Sequence, residues 1–157
     1  MTTPTVTALA SSQRFALAGR EVELSWALLD VTPERLAALH ATLPPEDRRE
    51  SERQRCEPKR FVAARGLVRE ILGHRLGIEP ARLEIGRTAA GKPFLAQSRL
   101  GFSVSHACEW LLVAMAPDTE VGADVERVRA DVDCATMVRH LFAPGEMTKI
   151  SGGRVSA

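Results

Sequence analysis

Residues 102–126, FSVSHACEWLLVAMAPDTEVGADVE, decide the fold. Phe102 to Ser105, Trp110 to Ala116 and Val121 to Glu126 are short runs rich in Val, Leu and Ala, and each reads as a strand. Turn-forming residues punctuate them, and Pro117-Asp118-Thr119 reads as a hairpin turn between the second and third. Three strands joined this closely leave no room for crossover helices, so the sheet is antiparallel.

Upstream the period changes. Val22, Leu24 and Trp26 alternate with Glu21, Glu23 and Ser25, which predicts a half-buried strand over 21–29. Thr32-Pro33-Glu34 predicts a helix start, with Thr32 as N-cap and Pro33 at the first helical position. Leu36, Leu39 and Leu43 continue that helix until Pro44-Pro45. Residues 46–75 carry nine Lys/Arg against six acids, a local balance of +3. Within them Phe61, Ala64, Val68, Ile71 and Leu72 recur at helical spacing over Lys59 to Arg75, Arg60, Arg65 and Arg69 fall elsewhere on the wheel, and Gly77 is the expected C-cap. Leu83-Glu84-Ile85 reads as a strand, Thr88 to Pro93 as a turn, and 133–142 as a last helix. Strands paired through hairpins, with helices outside any βαβ alternation, give an α+β fold.

The chain has 157 residues, 45% hydrophobic and 26% charged, enough for one globular domain. With 4% aromatic residues and no Tyr, its core has to rest on Leu, Val, Ala and Ile. A formal net charge of +1 argues against a globally basic nucleic-acid binder. Cys56, Cys108 and Cys134 show no Cys-x-x-Cys spacing, which points to reduced thiols rather than a disulfide framework or a thiolate zinc site. The longest apolar run, Trp110 to Ala116, is far too short for a membrane span, and residues 1–12 carry no export signal. The expected location is the cytoplasm. The expected organisation is a loose tail over 1–13, a folded domain over 14–146 and an irregular tail over 147–157.

Four short pieces can carry chemistry. On a strand, Asp124 and Glu126 share a face at roughly 6.5–7 Å between Cα atoms, and such a pair invites a hard cation. A solvated strand face, with Val121, Ala123 and Val125 inward, is the plain alternative. Gly91-Lys92 offers backbone donors and a point charge to a phosphate, as many lysine-bearing turns do. Ser105 and His106 end a strand with a hydroxyl and an imidazole. As strand neighbours they point to opposite faces, which disfavours a nucleophile–base pair. The fourth piece is the basic helix, which lacks the aromatic interleaving of a single-strand nucleic-acid platform.

In order, RFVAARGLVR (60–69), RTAAGKP (87–93), FSVSH (102–106) and VGADVE (121–126) closely resemble the 4′-phosphopantetheinyl transferase superfamily, surfactin-synthetase-activating type, from about Arg48 to Glu146. The resemblance implies half of that fold, a small antiparallel sheet packed with a long helix. It implies Mg²⁺-dependent transfer of phosphopantetheine from coenzyme A to a serine of an apo acyl or peptidyl carrier protein. Asp124 and Glu126 would hold Mg²⁺, Arg87 and Lys92 would meet the nucleotide phosphates, and Thr88, Ala89, Ala90 and Gly91 would line the nucleotide site. Ser105 and His106 would meet phosphate oxygens. Ser103 stands where the family often has Asn. A second departure is the family's basic residue near Cys56, for which Arg55 or Lys59 would substitute.

Members of this type carry a second, similar half with a Trp-x-x-Lys-Glu-Ala motif. No residue here matches it, so no catalytic base is assigned; Glu146 and Lys149 lie at the junction and have the wrong neighbours. Two readings follow: a transferase that completes its site as a homodimer of isologous halves, or a truncated, inactive remnant that binds coenzyme A or serves as a scaffold.

Overall fold

The computed structural model describes residues 11–128. The chain divides into two units, 1–126 and 127–157, and the architecture below is that of the first. The expected helix over 133–142, the junction at 142–146 and the tail over 147–157 lie outside the described residues.

The sheet has four antiparallel strands in the order β1-β2-β6-β5: β1 (Ser11–Leu17), β2 (Arg20–Leu28), β5 (Leu100–Ala107) and β6 (Trp110–Pro117). A two-stranded ribbon pairs β3 (Ile85–Arg87) with β4 (Pro93–Leu95). Three helices complete it: α1 (Pro33–Ala41), α2 (Pro45–Arg53) and α3 (Pro58–Leu76). The α+β expectation holds, and so do two helix-terminus assignments. Thr32 Oγ1 accepts from the Arg35 amide at 3.3 Å. Gly77, at φ 67°, closes α3 with its amide on the Gly73 carbonyl.

Alternate residues of β5 and β6 make the core. Phe102 lies opposite Met115, and Val104 opposite Val113. They meet Val68, Ile71 and Leu72 of α3 in one apolar cluster, built mainly from Leu and Val as composition required. Each such side chain, fully buried, is worth about 1.5–3 kcal/mol. Helix α1 crosses α3 where a Cβ on Gly66 would lie 2.6 Å from Leu39 Cβ, a distance only glycine permits.

Several expectations are corrected. Val121 to Glu126 is not a strand, and Pro117-Asp118-Thr119 is therefore not a hairpin turn; β6 ends at Pro117 and Asp118 turns the chain with φ 50°. The tight hairpin is instead β5–β6, with Cys108 at φ 53° in its two-residue loop. The strand expected at 83–85 begins only at Ile85, because Leu83 closes a 3₁₀ turn over Pro80–Arg82. Pro93, expected in the turn, opens β4. On β2 the apolar set faces away from α3. Ser25 and Ala27 share a face with the core residues Val113 and Leu111, whereas Leu24 and Trp26 pair with Ala114 and Leu112 on the other side. Residues 11–13, expected in the tail, open β1, a fully exposed edge strand whose ladder to β2 needs no apolar period. Helix α2 was unforeseen because PEDRRESER contains no apolar residue; Pro45 at its first position and Glu46 and Asp47 in its first turn account for it.

Candidate functional site

Strand β5 is an edge strand with two working faces. Phe102, Val104 and His106 face α3, and Ser103 and Ser105 face the opposite side. The resemblance groups Ser105 with His106; the structure separates them, as strand alternation requires.

On the α3 side lies a cleft of about 670 Å³. His106 lines it, together with Arg87 at the end of β3 and Arg60 and Arg65 on α3. Arg60 is gripped by acids. Its Nε and Nη2 meet the two Asp30 carboxylate oxygens at 2.9 and 3.0 Å, and Nη1 meets Glu57 Oε1 at 2.9 Å. Those hydrogen bonds hold the Asp30 carboxyl below its ordinary range and raise the Arg60 guanidinium. Arg65 lies over the Phe61 ring at 5.2 Å. Arg55 and Lys59 are exposed and do not line the cleft. Arg60, the next residue in the same turn of α3 as Lys59, does so. Its helical phase against Ala64 and Val68, both in the lining, was the available signal.

Arg69 is a correction. Expected away from the apolar stripe of the wheel, it is only 4% exposed, and its Nη1 donates to the Pro80 and Leu83 carbonyls at 3.1 and 2.9 Å. Burial pushes its guanidinium down. It ties α3 to the turn ahead of β3.

The turn over 88–92 stands between the two faces. Thr88 donates its amide to the Lys92 carbonyl and accepts from the Lys92 amide on Oγ1, and Gly91, at φ 82°, donates to the Thr88 carbonyl. Three of its five amides are thus engaged inside the turn; Ala89 and Ala90 are exposed at its tip. Arg87 is steadied by the Gly91 carbonyl at 2.9 Å and lines the cleft, while Lys92 reaches Glu120 at 3.1 Å and does not.

On the other face of β5, residues 119–126 run past the strand. Gly101 makes this passage possible, since a Cβ there would lie 1.8 Å from the Thr119 carbonyl oxygen. Ser103 Oγ then accepts from the Ala123 amide and Ser105 Oγ from the Val125 amide, each at 3.2 Å. Two side-chain hydroxyls take the place of a backbone ladder, which is why an alternating sequence here is not a strand. The two-residue spacing survives: Val121, Ala123 and Val125 are half-buried, and Asp124 and Glu126 exposed. Ser105 Oγ also donates to Asp124 Oδ1 at 2.5 Å.

Among the described residues no three of His, Cys, Asp and Glu form a group that could hold a metal. The two carboxylates are nonetheless hard oxygen donors of the kind Mg²⁺ takes singly or in pairs, with water and phosphate oxygens completing its shell.

The molecule is thus an α+β domain with an arginine-lined cleft on one side of an edge strand and Asp124, held by Ser105, on the other. A family model described as 4′-phosphopantetheinyl transferase, N-terminal, matches residues 29–118. The chain is 36% identical over 92 residues to the 4′-phosphopantetheinyl transferase HetI of Nostoc, covering 56% of this chain and 39% of that protein. It is 32% identical over 139 residues to a phosphopantetheinyl transferase of Thraustochytrium, covering 82% of this chain and 47% of the relative. The L-aminoadipate-semialdehyde dehydrogenase-phosphopantetheinyl transferase of Xenopus laevis is 29% identical over 92 residues, 55% of this chain and 30% of that protein. The chain belongs to the 4′-phosphopantetheinyl transferase family, and it spans less than half the length of these curated relatives.

Proposed function

We propose that this chain supplies the coenzyme A-binding part of a phosphopantetheinyl transferase, which moves the phosphopantetheine arm from coenzyme A to a serine hydroxyl of an apo carrier protein. The observation that carries this reading is the convergence of Arg60, Arg87 and His106, from three separate elements, on one cleft beside the strand that also holds Asp124. Arg87 and His106 bind nucleotide phosphate oxygens, and Arg60 joins them as its carboxylate partners give way. The 88–91 turn borders the nucleotide, and Lys92 guards the side toward Glu120. Ser103 and Ser105 orient residues 123–125 and so aim Asp124. Asp124 and Glu126 would hold Mg²⁺ on the face of β5 opposite that cleft, where when bound it would supply charge neutralisation to a phosphate oxygen.

Among the described residues no third acid joins that pair. The remaining ligand or base comes from outside them, and a second copy of this chain in an isologous dimer is one source. The same observation favours a second reading, coenzyme A binding without turnover. Incubation with coenzyme A, Mg²⁺ and an apo carrier protein tests both. A carrier mass gain equal to the phosphopantetheine arm supports transfer, and sedimentation of the active species reports the dimer. Thermal stabilisation by coenzyme A with no mass gain at high protein concentration supports binding alone. Absence of both overturns the coenzyme A assignment. A cytoplasmic location is proposed from the cysteine usage alone; separately, no helix among the described residues is long and apolar enough to cross a membrane.

A further inference from the structure

Helix α2 sorts its charges between two sides. Glu46, Asp47 and Glu50 line the cleft, and Asp47 lies 4.0 Å from Arg65 of α3. Arg48, Arg49 and Arg53 do not line it. At 100° per residue those three fall with Glu52 in a separate sector of about 140°, and all four are exposed. The cationic run continues past the helix in Arg55 and Lys59, both exposed and both outside the cleft. Among the described residues none of these five cations forms an ion pair, whereas Arg14, Arg35, Arg75 and Arg99 each meet an acid. Arg49 and Arg53, four apart on one helix, repel each other and weaken it slightly. The fold itself makes no use of them.

Such a surface suits an anionic partner, and its details select the kind. A helix that lies in a lipid surface needs an apolar face, and PEDRRESER has no apolar side chain beyond its proline. A nucleic acid is met by a broadly basic surface interleaved with aromatic rings. Here the net charge is +1, no aromatic residue lies between Arg48 and Lys59, and Glu52 stands among the cations. A few discrete carboxylates on a protein surface fit better, since α2 spans about 13 Å and matches two to three turns of an acidic helix. We infer that the outer side of α2, continued by Arg55 and Lys59, is the docking surface for an acidic face of the protein that accepts the phosphopantetheine arm. This rests on the transferase reading above and names where its protein substrate sits. Because α2 lines the cleft with its other side, a partner docked there stands about one helix diameter, 10–12 Å, from the cleft.

The test titrates the full chain, saturated with coenzyme A and with Mg²⁺ withheld, into fluorescently labelled apo acyl carrier and apo peptidyl carrier proteins, read by anisotropy. Wild-type affinity for the preferred carrier is expected to fall about fivefold from low to physiological salt. Arg49→Gln with Arg53→Gln should weaken carrier binding about three- to tenfold, the scale of two exposed charge contacts. Glu52→Gln should tighten it about twofold, because it removes the one acid among the cations. Neither variant should move the affinity for coenzyme A, measured by calorimetry. These three side chains are exposed and form no hydrogen bond or ion pair among the described residues, so both variants keep the fold. Carrier affinity unchanged in both variants, with coenzyme A still bound, overturns the docking role and leaves the transferase reading standing. Tighter binding of a short DNA duplex or of phosphatidylserine vesicles than of either carrier does the same. A wild type that binds no coenzyme A overturns the transferase reading, and the docking inference falls with it.

Discussion

Ser105 and His106 are chain neighbours that serve opposite faces of β5: the hydroxyl lies 2.5 Å from Asp124 Oδ1, while the imidazole lines the arginine cleft. Substitutions at the two positions should therefore separate cleanly. His106→Ala is expected to weaken coenzyme A binding by about tenfold, the worth of one hydrogen bond to a charged group, and to leave the Val125 amide protected from hydrogen exchange. Ser105→Ala should lower that protection by about three- to tenfold, since one neutral hydrogen bond is lost, with the cleft's arginines undisturbed. Equal effects of both substitutions on both readouts would contradict the two-faced arrangement.

Gly101→Ala probes how the carboxylates come to lie beside β5. A methyl group there collides with the Thr119 carbonyl, so either the strand shifts or residues 119–126 lift away. The expected destabilisation is about 1–3 kcal/mol by chemical denaturation, as for other overpacked sites. The Ala123 and Val125 amides should exchange faster than the β6 amides. A fully stable variant with unchanged exchange at those two positions would show that the passage does not depend on glycine.

The Asp30–Arg60 pair gives a pH prediction of definite sign. Hydrogen bonds from Arg60 hold the Asp30 carboxyl below 3.8, so the contribution of the pair is complete above that value and is lost as pH falls through the lowered one. Between pH 8 and 5 the pair should not change. Carbon-detected titration should place Asp30 below the ordinary aspartate value, and Arg60→Gln should return it toward that value. An ordinary Asp30 titration in the wild type would remove the argument that Arg60 is held in place.

Much of this was legible in the sequence because local chemistry decided it. Thr32-Pro33 starts α1, Gly77 ends α3, and the alternation of 102–105 and the apolar run of 110–116 make two strands. Arg87 and His106 were found from short motifs, and the structure brings them into one cleft. What stayed hidden was decided by tertiary contacts. Residues 121–126 have the strand period, yet hydroxyls of β5 take up their amides, and no pattern within 121–126 announces that. Arg60 and Arg69 sit on the same helix with the same chemistry. Both line the cleft, but the packing of the Pro80–Arg82 turn buries Arg69 while Arg60 stays partly exposed. The acids of α2 carry no motif, so their place in the cleft emerged only from the fold.

Arg69 is the last test, and it bears on the scaffold beneath the cleft. Its guanidinium is buried, carries no ion pair among the described residues, and satisfies two carbonyl oxygens of the segment leading into β3. Arg69→Ala removes the long apolar stem and leaves those carbonyls without their donor, so a loss of about 2–4 kcal/mol is expected in urea denaturation. Arg69→Lys restores a charge but not the planar fork, and should recover only part of that loss. Because the 80–83 segment leads into β3, which ends at Arg87, the alanine variant should also bind coenzyme A more weakly at temperatures where it remains folded. Wild-type stability in Arg69→Ala would mean that the two carbonyls find water instead, and that Arg69 does not brace the arginine cleft.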